Sequence, residues 1–250
     1  MTNPILQAKG LNKQYGALKV CQNFNLDVQK NTLHALIGPN GAGKTTALNL
    51  LTGLILPDSG SVVLNNQDIT NKKVNKRSQL GLARVFQITS LFNDFTVRQN
   101  LMLAAQAHQK SGYRFWTNVL KDKKLLETAD EFLEKMGLTQ RANILAGNLS
   151  HGERRQLEMG MALATRPEVL LLDEPMAGLG PGGSSKLSEL ILSLKGEITI
   201  LLVEHDTHAV FSLADTVSVL VQGEVIATDT AEVIKNDLKV QEAYLGGASC

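Results

Sequence analysis

Cysteine is nearly missing from this chain: Cys21 and Cys250 are the only thiols, far apart in sequence. A disulfide scaffold is not supported, and the pair reads as a small buried residue and a free tail, a usage suited to a reducing cytosol. An excess of one charge is missing as well. Lys plus Arg number 25 against 24 Asp plus Glu, a net charge of +1, so no broad electrostatic attraction to nucleic acid is expected. Nowhere do about 18 apolar residues run together, which excludes a bilayer-spanning helix and leaves only a peripheral membrane role. The start, MTNPILQAKG, lacks a basic stretch followed by an apolar core, so no signal peptide is expected. Internal repeats and low-complexity tracts are absent too. What is there is ample apolar material: 43% of 250 residues is hydrophobic, enough for one large domain or two small ones.

Residues 38 to 46 read GPNGAGKTT: Gly38, Pro39, Asn40, Gly41, Ala42, Gly43, Lys44, Thr45 and Thr46. The spacing fits a phosphate-binding loop, in which glycines let the backbone fold closely round a polyphosphate and aim successive amides at it. Lys44 is suited to neutralise β/γ-phosphate oxygens, and the Thr45 hydroxyl to hold one position on Mg²⁺. Leu33 to Ile37 is a strand-length apolar run, while Ala47, Leu48, Leu50, Leu51 and Leu54 follow at helical spacing. The phosphates would therefore meet a helix N-terminus, where the dipole favours negative charge.

Strand-like and helical segments alternate after this loop, which predicts an α/β core with a largely parallel sheet. Gly60 to Leu64, and Val217 to Ala227 broken at Gln222-Gly223, read as short antiparallel additions. In the middle, Thr96 and Gln99 form a capping box before a helix through Leu101 to Ala107. A second helix carries Leu125, Leu126, Ala129, Phe132, Leu133 and Met136 and stops at Gly137; a third starts at Ser150 and ends before Pro167. With no convincing strand from about 88 to 168, a helical subdomain over about 88–165 is expected inside the sheet domain.

Glu168 to Glu174, EVLLLDE, is a buried strand delivering two acids to the carboxyl edge of the sheet. Asp173 is suited to Mg²⁺, directly or through water, and Glu174 to take a proton from an attacking water. Ile198 to Val203 ends in Glu204, His205 and Asp206, where His205 can serve a γ-phosphate or the lytic water. His34, His108, His151 and His208 read as structural or exposed. Gln87, at the entry to the helical region, is a candidate to complete the metal shell and report its state to those helices. In LSHGERRQLE, residues 149 to 158, Ser150 and Glu153 make a capping box, which explains both but leaves Gly152 over. A helix start with a serine, a first-turn glycine and unpaired amides is also a second anion site.

Together these strings resemble an ATP-binding cassette (ABC) transporter ATPase along nearly the whole chain. GPNGAGKTT resembles the family's Walker A, Gln87 its Q-loop, LSHGE its signature, VLLLDE its Walker B and His205 its switch histidine; Tyr15 sits where the family stacks an aromatic on adenine. The resemblance implies one nucleotide-binding domain over 1–250, with a P-loop NTPase (RecA-like) core of mixed sheet, a small antiparallel β subdomain and the inserted helical subdomain. It implies ATP and Mg²⁺ as ligands and hydrolysis of ATP to ADP and phosphate. Two ATP-binding subunits, copies or paralogues, would pack head to tail, with Ser150 and Gly152 of one facing the γ-phosphate on the other. Separate permease subunits would hold the pair on the cytoplasmic face of the inner membrane, served by a solute-binding protein.

GLARVFQ, LFNDFTVRQNL, LATRPEVLLLDEPMAGL, LLVEHD and AYLG resemble the importer branch for branched-chain amino acids and related polar solutes. Phe115 and Trp116, in a lengthened stretch shared with that branch, read either as partner contacts or as local packing. Lys72, Lys73, Lys76 and Arg77 read as a solvated basic face. His151 and Glu153 depart from the usual LSGGQ, and Gly180 replaces the usual D-loop Asp or Asn, which implies weaker coupling across the dimer. An exporter ATPase for lipid or lipopolysaccharide would share every catalytic residue. A soluble ATPase acting on nucleic acid is disfavoured by the neutral charge and by the lack of a second cassette or coiled coil, and a non-enzymatic nucleotide sensor by Glu174 and His205.

Overall fold

The computed structural model describes residues 3–86, 91–108 and 122–245. In chain order its elements are β1 (Leu6–Tyr15), β2 (Leu18–Val28), β3 (Leu33–Ile37), α1 (Lys44–Thr52), β4 (Ser59–Leu64), β5 (Gln67–Asp68), α2 (Val74–Gln79) and β6 (Leu82–Val85). There follow α3 (Val97–His108), α4 (Lys123–Lys135), α5 (His151–Ala164), β7 (Val169–Asp173), α6 (Pro181–Leu194) and β8 (Thr199–Val203). The chain closes with α7 (Thr207–Leu213), β9 (Thr216–Val221), β10 (Glu224–Asp229), α8 (Ala231–Asn236) and α9 (Leu238–Leu245). The described residues form two compact units, one within Met1–Arg84, Glu168–Glu174 and Ile191–Cys250, the other within Val85–Pro167 and Pro175–Leu190.

The first unit holds two sheets, a six-stranded one in the order β10-β9-β3-β8-β7-β6 and a four-stranded one in the order β2-β1-β4-β5. Strands β9, β3, β8 and β7 run parallel, while β10 returns antiparallel through Gln222 and Gly223, both in the left-handed region. The mixed α/β class is as the sequence predicts. β3, β7 and β8 are buried at every position, which is why they read as mostly apolar runs, interrupted by His34 and Thr199, rather than as alternation. Their two faces serve different cores. Leu36, Leu171, Leu201 and Leu220 pack with α1 and the smaller sheet, while Ala35, Ile37, Val217 and Val219 pack with Val210, Ile234 and Val240 of the C-terminal helices.

Four strands escaped the sequence reading, the two-residue β5 among them. β1 and β2 carry Asn, Gln and Lys between their core residues and break register at several points, so strict alternation is lost. β6 is four residues long with Arg84 inside it. The reading of a solvated basic face also fails at one position. Lys73 and Lys76 are exposed, but Arg77 is 1% exposed, with Nη1 on the Leu50 and Leu51 carbonyls, Nη2 on Thr70 O and Nε on Lys72 O. The last turn of α1 leaves carbonyls without helical partners, and the guanidinium fork fills that need better than water could.

In the second unit α3, α4 and α5 pack on one another. The Thr96–Gln99 capping box is formed in both directions, Asp122 caps α4, and the buried face of α4 is Leu125, Ala129, Phe132 and Leu133. Gln87, Phe115, Trp116 and Cys250 lie outside the described residues.

His34 on β3 is 1% exposed and bonded through Nε2 to Ser218 Oγ at 2.8 Å. Burial pushes its pKa down to about 4, partly opposed by the charge of Asp27. The folded form thus resists a proton that the unfolded chain accepts near pH 6.5. Stability is complete above that pH and falls by about 3 kcal/mol as pH drops from about 6.5 to about 4. Urea unfolding of the protein and of His34→Gln at several pH values checks this: the variant should lose that part of the acid slope.

Candidate nucleotide-binding site

The carboxyl edge of the larger sheet gathers part of the predicted site, Gly38 to Thr46, Asp173, Glu174 and His205. Leu36 on β3 and Asp173 on β7 both stand in register with Val203 on β8, so the loop after β3, the acids after β7 and Glu204-His205 after β8 leave the sheet at one level. Such an edge is where α/β sheets bind ligands. Gly38 to Gly43 joins β3 to α1. A side chain at Gly38 would collide with the Leu220 carbonyl, and one at Gly43, φ +104°, would lie 2.7 Å from Val20 O. Backbone closeness therefore explains both glycines. The loop is tied further by Gly223 N to Ala42 O at 2.8 Å.

Lys44 is buried, and its ammonium donates to the carbonyls of Gly38 at 2.7 Å and Pro39 at 3.1 Å. Burial lowers its pKa, while the negative charges of Glu174 and Asp173 raise it. Lysine and both acids thus share one electrostatic neighbourhood. Asp173 is 5% exposed and accepts from Arg84 Nη2 at 2.6 Å. Glu174 is half-buried, with φ at +45° and its amide donating to Val203 O at 2.8 Å. A left-handed glutamate costs of order 1–3 kcal/mol, a strain typical of functional positions, and it turns the backbone out of the strand direction. Neither Arg84 nor this conformation was read from the sequence; for Arg84 the signal was a cation inside an apolar strand.

His205 is exposed, its Nδ1 3.9 Å from the buried Glu204 carboxylate, and Asp206 caps α7 by accepting from His208 N. Tyr15 is 51% exposed at the tip of the β1–β2 hairpin, with Lys13 Nζ 5.6 Å from its ring centre. Lys13 is held in turn by Asp58 at 2.7 Å. An aromatic ring fixed on one side by a cation offers its other face for stacking.

Ser150 and Gly152 lie in the second unit, at the start of α5. Ser150 caps the helix, and its amide and hydroxyl donate to Glu153 at 2.9 and 2.8 Å. Those bonds, with Arg141 at 2.7 Å, hold the Glu153 carboxyl below its ordinary pKa. The charge that replaces the usual signature glutamine is thereby paired. In the same unit Ser150, His151 and Gly152 face Gly178, Gly180 and Lys186 across a cleft of about 450 Å³.

The family model described as ABC transporter matches residues 21–177. The chain belongs to the ATP-binding cassette transporter family. A second model, described as branched-chain amino acid ATP-binding cassette transporter, matches residues 224–249. Among relatives, this ABC protein is 38% identical to the high-affinity branched-chain amino acid transport ATP-binding protein LivG of Escherichia coli K12, covering 99% of this chain and 100% of LivG. It is 34% identical to the lipopolysaccharide export system ATP-binding protein LptB of Haemophilus influenzae, over 97% of each. The ADP conformation of MJ1267, an ATP-binding cassette of an ABC transporter, superposes with a TM-score of 0.87 at 32% identity, covering 98% of this chain and 100% of that one. The resemblance to the branched-chain branch and the ABC ATPase fold are both borne out. Among the described residues no helix is long and apolar enough to cross a membrane.

Proposed function

We propose that this ABC protein is the ATP-hydrolysing subunit of an importer for branched-chain amino acids or related small polar solutes. The observation that carries the reading is the shared edge of β3, β7 and β8, where Lys44 lies in the charge field of Glu174 and Asp173 and His205 follows the end of β8. Gly38 to Thr46 receives the triphosphate, with Lys44 on its β/γ oxygens and Tyr15 under the adenine. Glu174 accepts the proton of the attacking water, and His205 donates to the γ-phosphate. Thr45 and Asp173 offer only hard oxygens, and among the described residues no cluster of His, Cys, Asp or Glu forms a protein-only metal cage. That donor set suits Mg²⁺, which takes a few protein oxygens and fills its shell with phosphate and water. When bound, the metal supplies charge neutralisation on the phosphates. Gln87 is proposed as its further ligand.

The second unit is proposed as the inserted helical subdomain. Ser150 and Gly152 then meet the γ-phosphate of a second subunit packed head to tail. Exposed Phe92 and Phe95, stacked with centroids 5.4 Å apart beside exposed Leu145, support a protein partner on this unit, a permease at the cytoplasmic membrane face. Ser150→Arg is expected to spare ATP binding and abolish hydrolysis, because the fault lies in the partner's site. Nucleotide titration and phosphate release, both run across protein concentration, check it; hydrolysis retained by the variant, or independent of concentration in the presence of permeases, would remove the shared site. An exporter is the second reading, favoured by the likeness to LptB. Reconstitution with the cognate permeases and solute-binding protein, scored for leucine uptake, separates the two.

A further inference from the structure

Arg84 is the one charged residue of β6, in the run Leu82, Ala83, Arg84, Val85, and its side chain is 5% exposed. Nη2 donates to Asp173 Oδ2 at 2.6 Å and Nη1 to Asn49 Oδ1 at 2.7 Å. Asp173 ends β7, the neighbouring strand. Asn49 stands on α1 four residues after Thr45, so the two share a helix face. A single rigid fork therefore ties the acid at the strand end to the face of the phosphate-loop helix that carries the threonine.

Stability explains this arrangement poorly. Apolar residues of like size in place of a buried ion pair are often neutral or stabilising, so stability alone gives no reason for the pair at a strand end. Geometry supplies one. A planar guanidinium held at two points leaves Asp173 little rotational freedom, which the flexible ammonium of a lysine could not impose. With Oδ2 accepting from Arg84, Asp173 would offer Oδ1 to a metal.

We propose that Arg84 is a positioning residue for nucleotide-bound Mg²⁺: it fixes Asp173 by one oxygen relative to the Thr45 face of α1, so that the carboxylate meets the metal without reorganising. This rests on the reading of Thr45 and Asp173 given above. Second partners of metal ligands act in this way, and their loss typically costs about 10- to 100-fold in metal affinity or activity.

The test uses the full chain with ADP and Mn²⁺, a paramagnetic probe whose free fraction is read by electron paramagnetic resonance. Arg84→Met should weaken Mn²⁺ binding to the ADP complex about 10- to 100-fold, while ADP affinity in chelator stays within about twofold. Arg84→Lys, which keeps charge but cannot hold both partners, should recover part of the loss. Asn49→Ala should show a smaller loss in the same direction. In hydrolysis assays at saturating metal, Arg84→Met should lower kcat with little change in KM for ATP. A folded Arg84→Met with wild-type or tighter Mn²⁺ affinity overturns the proposal. Should that variant not fold, wild-type affinity in both Arg84→Lys and Asn49→Ala overturns it equally. If the wild-type ADP complex binds no Mn²⁺, the reading of Thr45 and Asp173 fails, and the proposal with it.

Discussion

Glu174→Gln is expected to lower the turnover of ATP by about 10²- to 10⁴-fold while leaving ATP binding intact, the range for loss of a general base. Glu174 follows Asp173 at the end of β7, half-buried, in the charge field of Lys44, and in a left-handed backbone conformation. The amide keeps the size of the side chain and hydrogen-bonds well, so the loop has no reason to rearrange. What it cannot do is take a proton from water. With chemistry blocked and the phosphate loop untouched, two subunits should close on ATP and stay closed. Size-exclusion chromatography in ATP and Mg²⁺ should then show a stable dimer for the variant, with single-turnover release of phosphate slowed in proportion. Turnover at the wild-type rate would remove Glu174 as the base and move attention to His205 and Glu204, the other titratable pair at that edge.

Arg77→Met should destabilise the fold by about 3–5 kcal/mol, since each buried carbonyl left without a donor costs of order 1 kcal/mol or more. Three carbonyls lose the donor they have here, Leu51 in the last turn of α1 and Thr70 and Lys72 before α2, while Leu50 O loses the arginine but keeps the Gly53 amide at 3.2 Å. Burial brings the guanidinium down to about 10, still protonated at neutral pH, so the cation also complements the negative end of the α1 dipole. Methionine fills much of the volume but restores none of these bonds. For a chain of this size the loss corresponds to a fall in melting temperature of about 6–20 °C. Because the far end of α1 carries Lys44 and Thr45, saturating nucleotide should return part of the lost stability, as any ligand of the native state does. Thermal unfolding with and without ATP measures both effects. A melting temperature within about 2 °C of wild type would show that water serves those carbonyls as well as the arginine.

How much of the site was legible followed from whether its chemistry is local. GPNGAGKTT could be read because the proposed anion nest would need its glycines, lysine and hydroxyl at fixed offsets along the backbone itself. VLLLDE and ILLVEH were legible because parallel strands buried on both faces are mostly apolar, so the first charges at their ends mark the edge. The capping boxes at Thr96 and Ser150 spell their helix starts within four residues, and both formed as spelled. Arg84, Asn49 and Arg77 were illegible for the opposite reason. Arg84 finds Asp173 across 89 positions and Arg77 finds Leu50 across 27, and a charge in an apolar strand or in a lysine-rich stretch says nothing of a partner so distant.

The sequence by itself determined the glycine-rich loop proposed to hold phosphate, the acids at the end of β7, the helix starts and the family, each written in contiguous residues. Tertiary structure alone decided that β3, β7 and β8 end at one level and that one arginine locks Asp173 while another closes the end of α1. The reason is physical. Local rules act through backbone geometry over a few residues, whereas a buried charge is stable only where the whole fold brings donors and acceptors to meet it.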